Sequence, residues 1–157
     1  MRSVLSPNLV TRDIVPLVSR IILGIVLIAH GYQKFALWGL AGTGQAFAGM
    51  GVPMPGISAV VAAVIELAGG ILLVLGVFTP IVAVVVFLEM IGAALLVHLP
   101  HGVFVGDGGW ELVGALGAGT LALAAGAGRF SIDGLLRART SQTAAATGSE
   151  REFAEVH

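Results

Sequence analysis

The sequence predicts an all-α integral membrane protein, built as a four-transmembrane-helix bundle. Hydrophobic residues make up 57% of the 157-residue chain and charged residues only 11%, whereas a typical soluble domain has about 25% charged residues. The apolar residues are also concentrated in four segments of about the length, roughly 20 residues, that a helix needs to cross a bilayer. So few charges could not cover the surface of a soluble domain, and a lipid environment removes that requirement.

Each of the four apolar segments is bounded by helix-breaking or polar sequence. The segments run over about residues 14–38, 57–78, 81–99 and 110–127. The Gly-rich sequence between the first two contains Pro53 and Pro55, so we do not expect it to continue a helix. Thr79 and Pro80 form a tight turn before the third segment. A polar loop over residues 100–109 precedes the fourth.

The distribution of basic residues predicts the orientation in the membrane. We divide the chain into an N-terminal segment (1–13), a membrane domain (14–136) and a disordered tail (137–157). Six arginines lie before the first segment or after the fourth: Arg2, Arg12, Arg129, Arg137, Arg139 and Arg151. The loops at 39–56 and 100–109 contain neither Lys nor Arg. The positive-inside rule therefore predicts a multi-pass protein of the cell membrane, such as a bacterial inner membrane, with both termini cytoplasmic.

Charge and cysteine content exclude several classes of function. The net charge is −1, and no basic stripe is present that would neutralise the phosphates of a nucleic acid. The chain has no cysteine, which excludes thiol–disulfide exchange and thiolate metal ligands. We find no phosphate loop, nucleotide fingerprint or Ser–His–Asp arrangement. A redox role would need a bound cofactor, a quinone or a partner protein, and the sequence leaves open whether the chain is an enzyme.

Two charged residues lie toward the cytoplasmic side of the predicted spans. A charge at the centre of a bilayer costs at least ~2.5–3.5 kcal/mol, so each needs a partner, a proton or a function. Arg20 and Glu89 lie at depths that differ by roughly 3 Å, counted at 1.5 Å per residue. We therefore expect a structural ion pair between Arg20 and Glu89, with a proton relay as the alternative.

A second group of polar residues lies in the outer half of the membrane, with one residue or pair on each helix. Its members are His30, Lys34, Glu66, His98 and Glu111. Two histidines and two carboxylates could bind a divalent metal, exchange protons with a quinone headgroup or form a neutral hydrogen-bond network. No spacing matches a metal motif, so we assign no metal site. The quinone or small-ligand site and the structural network both stay open.

Glu66 is the strongest of these five candidates. It lies near the middle of an apolar helix that offers no Lys or Arg, so it needs a partner from another helix or a proton. The other candidates have simpler explanations, since Lys34 could extend to the outer interface and Glu111 could stabilise the positive N-terminal end of the fourth helix.

Several motifs in the chain resemble those of the DoxX family of membrane proteins. They are Arg20-x3-Gly24, His30-Gly31-Tyr32-Gln33-Lys34-Phe35, Ile65-Glu66-Leu67-Ala68-Gly69-Gly70, Thr79-Pro80, Val97-His98, Gly109-Trp110-Glu111 and Gly128-Arg129-Phe130-Ser131-Ile132-Asp133. The resemblance covers about residues 14–136 and implies a four-helix membrane protein. The family takes its name from a subunit associated with thiosulfate:quinone oxidoreductase, and some members are linked to membrane-associated oxidoreductase assemblies.

We therefore expect a membrane subunit of an oxidoreductase or redox-associated assembly, with a quinone or small ligand in the outer half of the bundle. The alternatives are a proton-coupled small-molecule transporter and a non-catalytic scaffold for partner proteins. A transporter should be accessible from both sides, and the cytoplasmic half offers only Arg20 and Glu89. Close-packing glycines such as Gly114 and Gly117 permit a homodimer without requiring one.

Overall fold

The computed structural model describes residues 9–140, and the regular elements in that part of the chain are all helices. The predicted all-α membrane bundle is therefore confirmed. Three helices are long and apolar enough to cross a membrane: α1 (Val10–Leu37), α3 (Pro55–Leu75) and α4 (Thr79–His101). Three shorter α-helices, α2 (Gly39–Gly49), α5 (Glu111–Leu123) and α6 (residues 132–140), and one 3-10 turn, Val105–Asp107, complete the described region.

The bundle has two ends with different contents. The turn end contains the start of α1, the α3–α4 turn at residues 76–78, and residues 124–140. The loop end contains α2, the start of α3 and the α4–α5 loop at residues 102–110. Of the predicted tail, residues 137–140 belong to α6, and the rest of it lies outside the described residues, as do residues 1–8. Large apolar side chains are exposed on the outer faces of the spanning helices, as contact with lipid requires.

The fourth apolar segment forms a shorter helix than the predicted span of 110–127. The 13 residues of α5 extend about 20 Å at 1.5 Å per residue, less than the hydrocarbon thickness of about 30 Å. Gly126 and Gly128 then adopt positive φ angles of 142° and 73°, which a helix does not accommodate. Ala127 between them is only 3% exposed. This irregular backbone is thus backed by protein, the condition under which it is tolerated at membrane depth.

The predicted connection between the first two spans contains a helix of its own. Pro53 and Pro55 lie beyond the last residue of α2, so they do not interrupt it. Thr43 is fully buried, and its hydroxyl donates to the carbonyl oxygens of Gly39 at 3.0 Å and Lys34 at 3.2 Å. Because α2 also packs against α3, it holds the ends of α1 and α3 together at the loop end.

Glycines determine how closely α1 and α3 pack. A Cβ atom on Gly31 would lie 2.5 Å from the backbone nitrogen of Leu67, and one on Gly24 would lie 2.7 Å from the carbonyl oxygen of Gly70. Small residues of this kind allow helix backbones to approach in membranes. The α1–α3 interface is the most extensive in the bundle, so these glycines fix which faces of α1 and α3 meet.

Candidate functional site

Lys34 and Glu66 form a buried ion pair between α1 and α3. The Lys34 ammonium nitrogen donates to Glu66 Oε2 at 2.6 Å, and the two residues are 8% and 7% exposed. Side chains on a helix tilt toward its N-terminus. Because α1 and α3 are antiparallel, Lys34 extends inward from the loop end while Glu66 extends toward that end, so the two charged groups meet. Lys34 therefore does not extend to the interface.

The backbone of α1 is altered at Lys34. Residues Gln33–Leu37 form a π-helical turn that continues the α-helical part of α1. Such turns insert an extra residue into a helix and are frequent at functional sites. Two further π-helical turns occur, Val10–Ile14 at the start of α1 and Ala94–His98 near the end of α4. Irregular helix geometry is therefore present at both ends of α1 and near the loop end of α4.

Glu89 of α4 lies close to this ion pair. Both carboxylate oxygens of Glu89 are buried, and neither has a hydrogen-bond partner within the described part of the chain. The helices that carry Glu66 and Glu89 pack against each other, and Glu89 is within electrostatic range of both Glu66 and Lys34. Glu66 lies nine residues before the end of α3 and Glu89 ten residues after the start of α4, so their backbones are at similar depth. We call Lys34, Glu66 and Glu89 the charged triad.

The predicted Arg20–Glu89 ion pair is wrong. Arg20 is 1% exposed, and its Nη2 atom donates to the carbonyl oxygen of Phe130 at the turn end, where Asp133 is the nearby charge. Residue counting estimates depth only and does not show which groups lie beside a side chain. The guanidinium of Arg20 lies against Gly76 and Phe130 at the turn end.

The turn end contains a set of polar contacts that sequence reasoning missed. Asp133 accepts hydrogen bonds from the backbone nitrogens of Phe78 and Thr79, each at 2.9 Å, and so caps α4 from a distant part of the chain. Asp13 accepts from the backbone nitrogen of Arg129 at 2.9 Å and from its Nε at 2.8 Å. These carboxylates fasten residues 129–133 to the starts of α1 and α4. The sequence signal was the family-like motif Gly128-Arg129-Phe130-Ser131-Ile132-Asp133, which does not reveal the distant partners of Asp133.

The other three predicted site residues make contacts near their own positions in the chain. His30 Nδ1 lies 2.9 Å from the carbonyl oxygen of Val26, one turn earlier in α1. His98 Nδ1 lies 2.7 Å from the carbonyl oxygen of Gly108, and Glu111 accepts from the backbone nitrogen of Val105 at 2.7 Å. His98 and Glu111 therefore organise the α4–α5 loop, whereas Lys34 and Glu66 meet in the bundle.

The donor set of the charged triad suits an organic ligand better than a metal. No group of three or more His, Asp or Glu side chains within residues 9–140 could hold a metal ion. An ammonium group supplies three N–H donors, and Glu66 accepts one of those of Lys34. A carbonyl-bearing headgroup, such as that of a quinone, needs a donor near each oxygen, and this site can supply one.

Comparison with known proteins identifies the family. The DoxX family model matches residues 15–99, which is more than half of the chain and includes the whole charged triad. The chain belongs to the DoxX family. No solved structure matches it.

Three relatives are similar over most or much of their length. "Inner membrane protein YphA" of Escherichia coli is 33% identical over 129 residues, which cover 78% of this chain and 90% of that protein. "Uncharacterized membrane protein Rv3486" of Mycobacterium tuberculosis is 32% identical, with coverage of 78% and 81%. "Putative oxidoreductase CatD" of Bacillus subtilis is 42% identical over 87 residues, which cover 55% of this chain and 62% of that protein. The chain is thus a multi-pass membrane protein with relatives in the bacterial inner membrane.

Proposed function

We propose that the chain is the membrane subunit of a redox-associated assembly, and that it binds a quinone or a similar carbonyl-bearing ligand beside Lys34 and Glu66. The observation that carries this proposal is the buried Lys34–Glu66 ion pair with a third ionisable group, Glu89, next to it. The name of CatD associates that relative with oxidoreductases, and a quinone would provide redox chemistry that this cysteine-free chain lacks.

An ion pair that only joins two helices would be complete with Lys34 and Glu66. Each buried charge carries a desolvation cost of several kcal/mol, which a well-formed pair roughly offsets. Glu89 adds a further carboxyl group at the same depth without a hydrogen-bond partner from the described residues, and packing alone does not account for it. Polar groups that converge inside a membrane domain mark ligand or ion sites by default. We infer that the triad serves a ligand.

We also propose that the turn end faces the cytoplasm and the loop end faces the outside of the cell membrane. Arg12, Arg129, Arg137 and Arg139 lie at the turn end, and the loops of the loop end contain neither Lys nor Arg. This asymmetry is the one on which the positive-inside rule depends. The charged triad would then be reached from the outer half of the bilayer.

Tryptophan fluorescence provides a direct test of ligand binding. Quinones quench indole emission at short range, and the two tryptophans of the chain, Trp38 and Trp110, both lie at the loop end. We expect decylubiquinone to quench the detergent-purified full chain in a saturable manner. Lys34→Met and Glu66→Gln should each raise the apparent Kd at least tenfold, which corresponds to about 1.4 kcal/mol.

Asp107→Asn is the matched control, because Asp107 is an exposed acidic residue of the α4–α5 loop at the same end of the bundle. It should bind the quinone as wild type does. Quenching that rises linearly without saturation, and equally in all four proteins, would show only partitioning into the micelle. In that case Lys34–Glu66 is a structural ion pair, and a non-catalytic scaffold for partner proteins becomes the favoured function.

A further inference from the structure

The three groups of the charged triad cannot all be ionised without leaving a net negative charge inside the bundle. Lys34 supplies one positive charge, while Glu66 and Glu89 would supply two negative ones. The rest of the surrounding elements do not balance the difference. Glu66 is the only titratable residue of α3, and α5 has only Glu111, which lies at its loop-end terminus. On α1, Arg20 donates to the Phe130 carbonyl oxygen at the turn end, and the Nδ1 atom of His30 lies 2.9 Å from the Val26 carbonyl oxygen. The histidines of α4, His98 and His101, lie at its loop-end terminus and contact carbonyl oxygens there.

The contacts show which carboxyl group is suited to hold a proton. Glu66 accepts a charge-assisted hydrogen bond from Lys34 at 2.6 Å, and such a bond favours the ionised form of the acceptor. Glu89 receives no hydrogen bond on either buried oxygen from the described residues. An isolated carboxylate in an apolar setting becomes neutral rather than remaining charged. One proton on Glu89 makes the triad electrically neutral.

We propose that Glu89 is protonated in the resting protein and that its hydroxyl group donates a hydrogen bond to a carbonyl oxygen of the bound ligand. The ligand part of this inference rests on the proposed function, whereas the protonation of Glu89 does not. A protonated carboxyl group is both a donor and an acceptor, so Glu89 adds an acceptor that the ammonium group of Lys34 lacks, as well as a neutral O–H donor. Lys34 and Glu66 would then form the polar wall of the site, and Glu89 would be its neutral donor.

Infrared spectroscopy tests the proton directly. A protonated carboxyl group has a C=O stretching band well separated from the bands of ionised carboxylates. We expect this band in the full chain reconstituted in lipid at neutral pH and in the control Asp107→Asn, and we expect its loss in Glu89→Gln. If the band is absent from wild type, or persists in Glu89→Gln, the inference is overturned.

Decylubiquinone binding tests the second half of the proposal. Glu89→Gln remains neutral and keeps an N–H donor, so we expect a Kd within threefold of wild type. Glu89→Leu removes the donor and should weaken binding at least tenfold. If Glu89→Leu binds as tightly as wild type while Lys34→Met does not, this inference fails and the proposed function survives. If wild type itself shows no saturable binding, the proposed function fails, and the infrared band still decides whether Glu89 holds a proton.

Discussion

The carboxylates of the turn end and those of the charged triad make different kinds of contact. At the turn end, Asp13 and Asp133 accept hydrogen bonds mainly from backbone N–H groups of neighbouring segments. In the loop-end half, Lys34 and Glu66 bond side chain to side chain, and Glu89 has no such bond among the described residues. A carboxylate that accepts hydrogen bonds from backbone N–H groups holds chain segments together. A side-chain cluster with unused hydrogen-bonding groups can bind another molecule. Substitutions at the two kinds of position should therefore differ in their effects on stability and on quinone binding.

The largest effect should follow from removing one partner of the buried pair. Lys34→Met leaves the Glu66 carboxylate buried without its cation, a change that costs about 3–5 kcal/mol in protein interiors. The double variant Lys34→Met, Glu66→Met removes both charges and should recover most of that loss. Denaturant unfolding of the detergent-solubilised chain measures both. A double variant no more stable than Lys34→Met would show that packing at these positions, rather than the unpaired charge, sets the stability.

The next largest effect should come from the α1–α3 glycine contact. Gly31→Ala places a methyl group 2.5 Å from the backbone of Leu67, and overpacking of this kind costs about 1–3 kcal/mol. It should also weaken quinone binding, because it separates the helices that carry Lys34 and Glu66. Gly92→Ala is the matched control, since a Cβ atom on Gly92 meets nothing within 4 Å. Equal unfolding free energies for the two alanine variants would contradict the packing described here.

A smaller effect is expected at the cap of α4. Asp133→Ala removes the acceptor for the backbone nitrogens of Phe78 and Thr79, and loss of a helix cap typically costs about 0.5–2 kcal/mol. Quinone binding should stay within twofold of wild type, because Asp133 lies at the opposite end of the bundle from Lys34. A thermal unfolding scan alongside the fluorescence titration checks both. A tenfold loss of binding with unchanged stability would remove the distinction between the two ends.

The smallest effect should come from Arg129. Its side chain is 74% exposed, although the Asp13 carboxylate it contacts is 6% exposed. Exposed ion pairs contribute about 0–1 kcal/mol, and the backbone N–H of residue 129 still bonds to Asp13 after substitution. Arg129→Met should therefore change the unfolding free energy by less than 1 kcal/mol, several times less than Lys34→Met. If Arg129→Met and Lys34→Met lower the unfolding free energy equally, solvent exposure does not determine how much these ion pairs contribute.

The sequence was sufficient to predict the helical membrane bundle, because a segment of about 20 apolar residues with few charges is stable in lipid rather than in water. It also singled out Lys34 and Glu66, since charges inside apolar runs are conspicuous. It did not pair them, because pairing depends on helix rotation, which Gly24, Gly31 and Gly70 set through close contact. Glu89 was assigned to Arg20 because residue counting gives depth alone, whereas the partner of Arg20 is the carbonyl oxygen of Phe130, 110 residues away in the chain. The role of Asp133 depends on contacts 54 and 55 residues away, which local patterns do not encode.

The arrangement in which Lys34 and Glu66 extend toward each other along antiparallel helices has a mechanical consequence. Their 2.6 Å contact is directed partly along the helix axes, so a shear of α1 against α3 changes its length directly. Sliding apart by the rise of one residue, about 1.5 Å, would exceed the range of a hydrogen bond. The pair therefore fixes the axial position of α1 relative to α3, and a displacement of either helix along its axis would change the polar site.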